Sequence, residues 1–218
     1  MPVLGPSAWR PYLIHLGLKF WDTRPSECDG YFALQRECQN AAILQMIKTQ
    51  LKRATDPVLV YAHPVTEDDA EDNLFAFADE ELRKPPPLDD MEMAPIPAFP
   101  SSPKCYGWLA FNRRVVQNIP RALWPPVVRL PDIQRSLASD KDYTAIVYDY
   151  IENVDNNPAE VEAVDTFLWL AGFCHKDTGA RNWKGGVLVD HSAIVHPRAF
   201  GWQKTRYRRR KAPALLYC

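Results

Sequence analysis

The nineteen residues "CHKDTGARNWKGGVLVDHS" (174–192) constrain this chain more than any other stretch. They place a cluster of polar side chains between two segments that must both be buried. Upstream, "NNPAEVEAVDTFLWLAGFCH" predicts a helix with Asn157 as N-cap, Pro158 at its first position and Glu160 reaching back as in a capping box. Val161, Val164, Leu168 and Ala171 give that helix an apolar face, which ends near Cys174. Downstream, "GGVLVD" reads as a turn and a short apolar strand. The polar residues 175–182 therefore sit on a loop between a buried helix and a buried strand, a common place for reactive groups.

The rest of the chain supplies one more long helix and several strands. "YFALQRECQNAAILQMIKTQL" (31–51) contains no Gly or Pro and is rich in helix formers, with Leu34, Cys38, Ala41 and Gln45 along one stripe and Ile43, Met46 and Ile47 widening it. Strands are expected at 11–21, which ends in "LGLKFW", at "PVLVYAH" (57–63), at "CYGWLAF" (105–111) and at the start of "YTAIVYDYIENVD". Residues 66–104 carry acidic runs and then "KPPPLDD" and "PIPAFPSSP", a composition that predicts a mobile insertion or long loop. The run "KTRYRRRK" (204–211) reads as a basic tail that binds nucleic-acid phosphates, directs nuclear import, or pairs loosely with the acidic insertion. The class is α+β.

At 218 residues and 46% hydrophobic content, the chain can bury one substantial core or two small lobes. Five scattered cysteines without a CxxC pair argue against a disulfide scaffold or a structural zinc site. Arg10, His15 and Lys19 interrupt "WRPYLIHLGLKFW", so neither a signal peptide nor a membrane span is expected there. These features predict an intracellular protein, cytoplasmic or nuclear, with no membrane association. A net charge of −1 selects no partner by overall field.

His175, Lys176, Asp177 and Asn182 reproduce the spacing H-R-D-x-x-x-x-N of the protein-kinase catalytic loop, with Lys in place of Arg. Phosphoryl transfer needs a carboxylate beside the accepting hydroxyl and an amide oxygen that helps hold magnesium, both projected from one loop. Asp190, at the end of "GVLV" and in "DHS" where kinases carry DFG, is the candidate second metal ligand. Lys19 in "LGLKFW" is the candidate lysine for the phosphates, and Glu37 on the following helix is the candidate partner that orients it.

With "AIVYDYIE" and the "RECQNAAIL" helix, the block "ARNWKGGVLVDHS" resembles the small fungal kinase-like proteins grouped with a kinetochore complex subunit family. The resemblance spans roughly residues 12–62 and 105–197. It implies a reduced bilobal kinase-like fold over residues 1–203, with an N-lobe to about 145 that includes the 66–104 insertion, a truncated helical C-lobe over 146–203 and the basic tail at 204–218. It further implies a nucleotide-type cleft, with ATP and Mg as cofactors. Lys19 would be the phosphate lysine and Glu37 its partner; Asp177 would hold the base position, and Asn182 and Asp190 the metal.

The chain departs from the kinase pattern at several points. It has no G-x-G-x-x-G, and only 28 residues follow Asp190, with nothing like an activation segment ending in APE. Peptide phosphorylation is therefore not expected. Three readings stay open. One is a phosphotransferase that moves a phosphoryl group from Mg-ATP to a small molecule. A second is a repurposed pocket, free of cofactor, that folds an apolar substrate for a pericyclic cyclisation in fungal biosynthesis. The third is a non-catalytic scaffold with a protein partner at a kinetochore-type assembly. Residue by residue there are plainer alternatives: Lys19 as a snorkelling surface lysine, Glu37 as a solvated helix-face acid, and Asp177 and Asn182 as turn residues. His191 and His196 read as structural histidines, Cys174 as a small buried residue, and most of the tryptophans as core.

Overall fold

The face that a helix buries depends on what it meets as well as on its apolar residues, and the first long helix shows this. In the computed structural model, described over residues 16–22, 33–78, 92–121, 124, 127–130, 133–135, 138, 140–176 and 179–217, that helix buries Arg36, Glu37 and Asn40 along with Ala41, Leu44 and Ile47. The stripe expected through Leu34, Cys38, Ala41 and Gln45 is therefore displaced: Leu34 and Cys38 are half-buried, and Gln45 and Met46 are exposed. The turn packed against it offers backbone amides and carbonyls, which Glu37 and Asn40 satisfy, so polar residues occupy the N-terminal half of the buried face.

In chain order the elements begin with β1 (Leu16–Asp22), α1 (Ala33–Arg53), β2 (Leu59–Tyr61), α2 (Glu67–Phe75) and β3 (Met93–Pro95). There follow β4 (Cys105–Phe111), α3 (Arg113–Asn118), β5 (Val128–Leu130), β6 (Ile133–Arg135) and β7 (Tyr143–Asp149). The C-terminal part holds α4 (Pro158–Leu170), β8 (Cys174–His175), β9 (Trp183–Lys184), β10 (Val187–Leu188), β11 (Ile194–Val195) and α5 (Ala212–Leu216). Helices and small antiparallel sheets thus make an α+β protein. No described helix is long and apolar enough to cross a membrane.

Contacts group the chain into two units, each built from two separated stretches: Met1–Glu27 with Lys104–Tyr150, and Cys28–Pro103 with Ile151–Cys218. Sequence order suggested a boundary near residue 145, but α1 groups with the C-terminal half because its buried face packs there. In the first unit β7 is the central strand of an antiparallel sheet of order β1-β7-β4. Ala145, Ile146, Val147 and Tyr148 are consecutively buried, so side chains on both faces of this strand are covered.

The second unit has the larger core. Leu44 and Ile47 of α1 meet Val161, Val164, Phe167 and Leu168 of α4, and Leu215 and Leu216 of α5 join them. Helix α4 starts at the expected cap and proline, with Asn157 Oδ1 accepting from Ala159 N at 3.0 Å, but the expected capping box does not form: Glu160 Oε1 accepts from the Asn157 side-chain amide at 3.5 Å instead of the backbone N. Its end needs Gly172, at φ +91, because a Cβ there would collide with the carbonyl of Ala70 on α2.

Two segments expected to be irregular are ordered. Residues 66–78 of the acidic stretch begin with helix α2, closed by a capping box between Thr66 and Asp69 and carrying three acids in its first turn, where the helix dipole favours negative charge. The helix is tied down because Asn73 exchanges hydrogen bonds with the backbone of Tyr61, and Ala70 and Phe77 are fully buried. Residues 79–91 of the same expectation lie outside the described residues. The described part of the basic segment, 204–217, is likewise folded: Arg210 is buried, Tyr207 donates to the Trp169 carbonyl at 3.0 Å, and α5 enters the core.

Candidate functional site

Six short described elements of the second unit make up the 174–195 segment. The two-residue strands β8 and β11 pair antiparallel, with His175 opposite Ile194 and Cys174 opposite Val195. Lys176 N then donates to Ala193 O at 2.8 Å, which extends the ladder by one bond. Further along the chain, a 3₁₀ turn over Ala180–Asn182 leads into the β9–β10 hairpin. Gly185 and Gly186 take φ values of +53 and +76 at its tip, the left-handed pair that a two-residue hairpin turn requires. That tip is held by Gly185 N on Val154 O and Gly186 N on Asn156 Oδ1, both at 3.1 Å.

The hairpin brings the two proposed metal-side residues together. Val189 N donates to Asn182 O at 2.8 Å, so the residue before Asp190 is bonded to Asn182. Asn182 is buried and Asp190 half-buried. The Asp190 carboxylate caps the next 3₁₀ turn, with Oδ1 accepting from Ser192 N at 3.2 Å and from Ser192 Oγ at 2.8 Å.

Helix α1 anchors this turn from beneath. Glu37, with no exposed surface, accepts from the same Ser192 N at 2.5 Å. Asn40 Nδ2 donates to His191 O at 2.7 Å and to Ile194 O at 2.8 Å. Three main-chain groups of the Asp190 turn are thus taken up by two side chains one helical turn apart.

Positive charge gathers beside it. Burial, followed by the charges of Arg36 and Arg206, pushes the Lys176 ammonium down to about 8, while Asp190 pulls in the opposite direction. Arg36 is buried and its Nη2 donates to Phe200 O at 2.5 Å. His196 is also held below its ordinary value, first by burial and then by Arg36, with its carbonyl contact to Pro197 opposing.

A buried polar group lies behind the loop. His175 Nδ1 is 3.4 Å from Asp165 Oδ1, and both side chains are almost fully enclosed. Asp165 Oδ2 accepts from Arg210 N at 2.7 Å, and Arg210 Nη2 donates to His175 O at 2.5 Å.

Of the residues selected by sequence, Glu37, Asn182 and Asp190 come together in the second unit. Lys19 is placed on β1 of the first unit, in register with Ile146. Asp177 lies outside the described residues. Sequence reasoning missed Asn40, Asp165, Ser192 and Arg210. Asp165 carried a readable signal, as a lone carboxylate among the apolar residues of the helix's buried face. Among the described residues, no three His, Cys, Asp or Glu side chains cluster as a metal cage. No family model matches the chain, and no curated protein and no solved structure matches it either.

Proposed function

We propose that the second unit binds a magnesium nucleotide and supports phosphoryl transfer to a small-molecule hydroxyl. The observation that carries this reading is the shared Ser192 amide: Glu37 and Asp190 both accept from it, so α1 fixes the turn that carries the half-buried Asp190 carboxylate beside Lys176.

The donor set fits the group. Magnesium bound with a nucleotide uses one or two protein carboxylates and takes its other ligands from water and phosphate, so the absence of an all-protein cage among the described residues is no obstacle. Asn182 and Asp190 would hold the ion, which would neutralise charge on the phosphate oxygens. Lys176, with Arg36 and Arg206 behind it, would attract the phosphates electrostatically. Asp177 is assigned from its spacing alone to the accepting hydroxyl, whose proton it would receive.

The test is thermal unfolding with and without millimolar Mg-ATP. A ligand at a hundred times its dissociation constant stabilises by about 2.7 kcal/mol, which raises Tm by several degrees. The expected result is a rise in the native protein that is lost in Asp190→Asn. No rise, or an equal rise in both, contradicts the proposal. The same experiment separates it from a cyclase or a scaffold, neither of which requires nucleotide.

A further inference from the structure

We infer that Asp165 and Arg210 are positioning residues that act through His175, so that the C-terminal segment belongs to the machinery of the candidate loop. The inference concerns the same site and rests on the nucleotide reading only for its consequence on binding.

His175 is the last residue of β8 and is held at three places. Its backbone pairs with Ile194 across the ladder. Its carbonyl accepts from Arg210 Nη2 at 2.5 Å. Its ring faces Asp165, with Nδ1 at 3.4 Å from Oδ1. The other Asp165 oxygen is taken by the backbone N of Arg210, so one arginine is bonded to both the carboxylate and the histidine carbonyl.

Arg210 is kept in place by its own neighbours in the chain. Ala212 N donates to Glu162 Oε1 at 3.0 Å, Lys211 reaches Glu162 Oε2 at 3.3 Å, and Leu215 and Leu216 lie in the core. Helix α4 thus supplies both acids, Asp165 and Glu162, that the C-terminal segment grips. The ladder that holds His175 runs one bond further, to Lys176, six residues before Asn182 in the chain.

A purely packing role is a poor account of the group. Burying a carboxylate and a guanidinium costs desolvation energy that apolar residues of the same volume avoid. Asp165 and Arg210 are 2% and 8% exposed, well inside the range where that cost applies. For a neutral imidazole the arrangement favours one tautomer. With Nδ1–H donating to Asp165, Nε2 is left as an acceptor, and it has no hydrogen-bond partner among the described residues.

The experiment compares Arg210→Met, Arg210→Lys and Asp165→Asn with the native protein. Imidazole ¹⁵N shifts of His175 should report a single Nδ1–H tautomer in the native chain and a mixture in Asp165→Asn. Amide shifts and hydrogen exchange at Gly179–Asn182 should change in Arg210→Met and return partway in Arg210→Lys, which also serves as the folded variant if the methionine substitution unfolds. Mg-ATP affinity, measured by calorimetry, should fall about 10- to 100-fold in Arg210→Met. Native shifts and native exchange at 179–182 in the arginine variants would overturn the inference. If the native protein binds no Mg-ATP, the nucleotide reading fails, while the tautomer and exchange measurements still decide the positioning role.

Discussion

A lysine held near neutrality tests the charge balance of the site directly. Lys176 is pushed down to about 8 by burial and by Arg36 and Arg206, against an ordinary value of 10.5. Between those two values the unfolded chain binds more protons than the folded one, so stability rises with pH from about 8 to about 10.5, and the burden of a half-buried ammonium is fully present below 8. The free amine is the nucleophile, so competitive labelling with an amine-reactive reagent should show Lys176 titrating near 8. In Asp190→Asn the midpoint should move lower still, because Asp190 opposes the shift. A midpoint near 10.5 would mean that the cation cluster is not assembled.

At the scale of elements, the interface between α1 and the 191–194 turn should depend on hydrogen bonds more than on apolar area. Asn40→Leu would leave the carbonyls of His191 and Ile194 without their side-chain donor. Each buried acceptor so exposed costs about 1–3 kcal/mol, so the variant should lose about 2–4 kcal/mol by urea unfolding. Met46→Ala on the exposed side of the same helix should change stability by no more than about 0.5 kcal/mol. A neutral Asn40→Leu would contradict this account of the face.

That interface also shows what the sequence could and could not convey. The helix itself was legible from composition, and α4 was legible down to its Asn157 cap, because both signals are local. The buried stripe of α1 was not, since apolar periodicity carries no information about a partner made of peptide groups. Helix α2 was hidden by its charge: its box uses Asp69 where Glu or Gln is the usual signal. The basic run misled in the same way, because the groups that hold Arg210 inside are distant in the chain: Asp165, which accepts from its backbone N, lies 45 residues away, and the His175 carbonyl, which accepts from its guanidinium, lies 35 residues away.

On the scale of the whole molecule, the chain crosses between its two units twice, at residues 27–28 and 150–151, and returns once at 103–104. Such interleaving cannot be read from a linear boundary, whereas the spacing of the 174–192 cassette could be read because its ladder, hairpin and turn are all short-range. The candidate site assembled in the second unit combines that local cassette with long-range support from Glu37, Asn40 and Arg210. The most direct test of the central claim is to replace magnesium by manganese and follow paramagnetic broadening of backbone amide signals on adding Mn-ATP. The account predicts that Asn182, Asp190 and Ser192 broaden first and that Asp190→Asn abolishes the effect. Broadening centred elsewhere, or none at millimolar Mn-ATP, would contradict it.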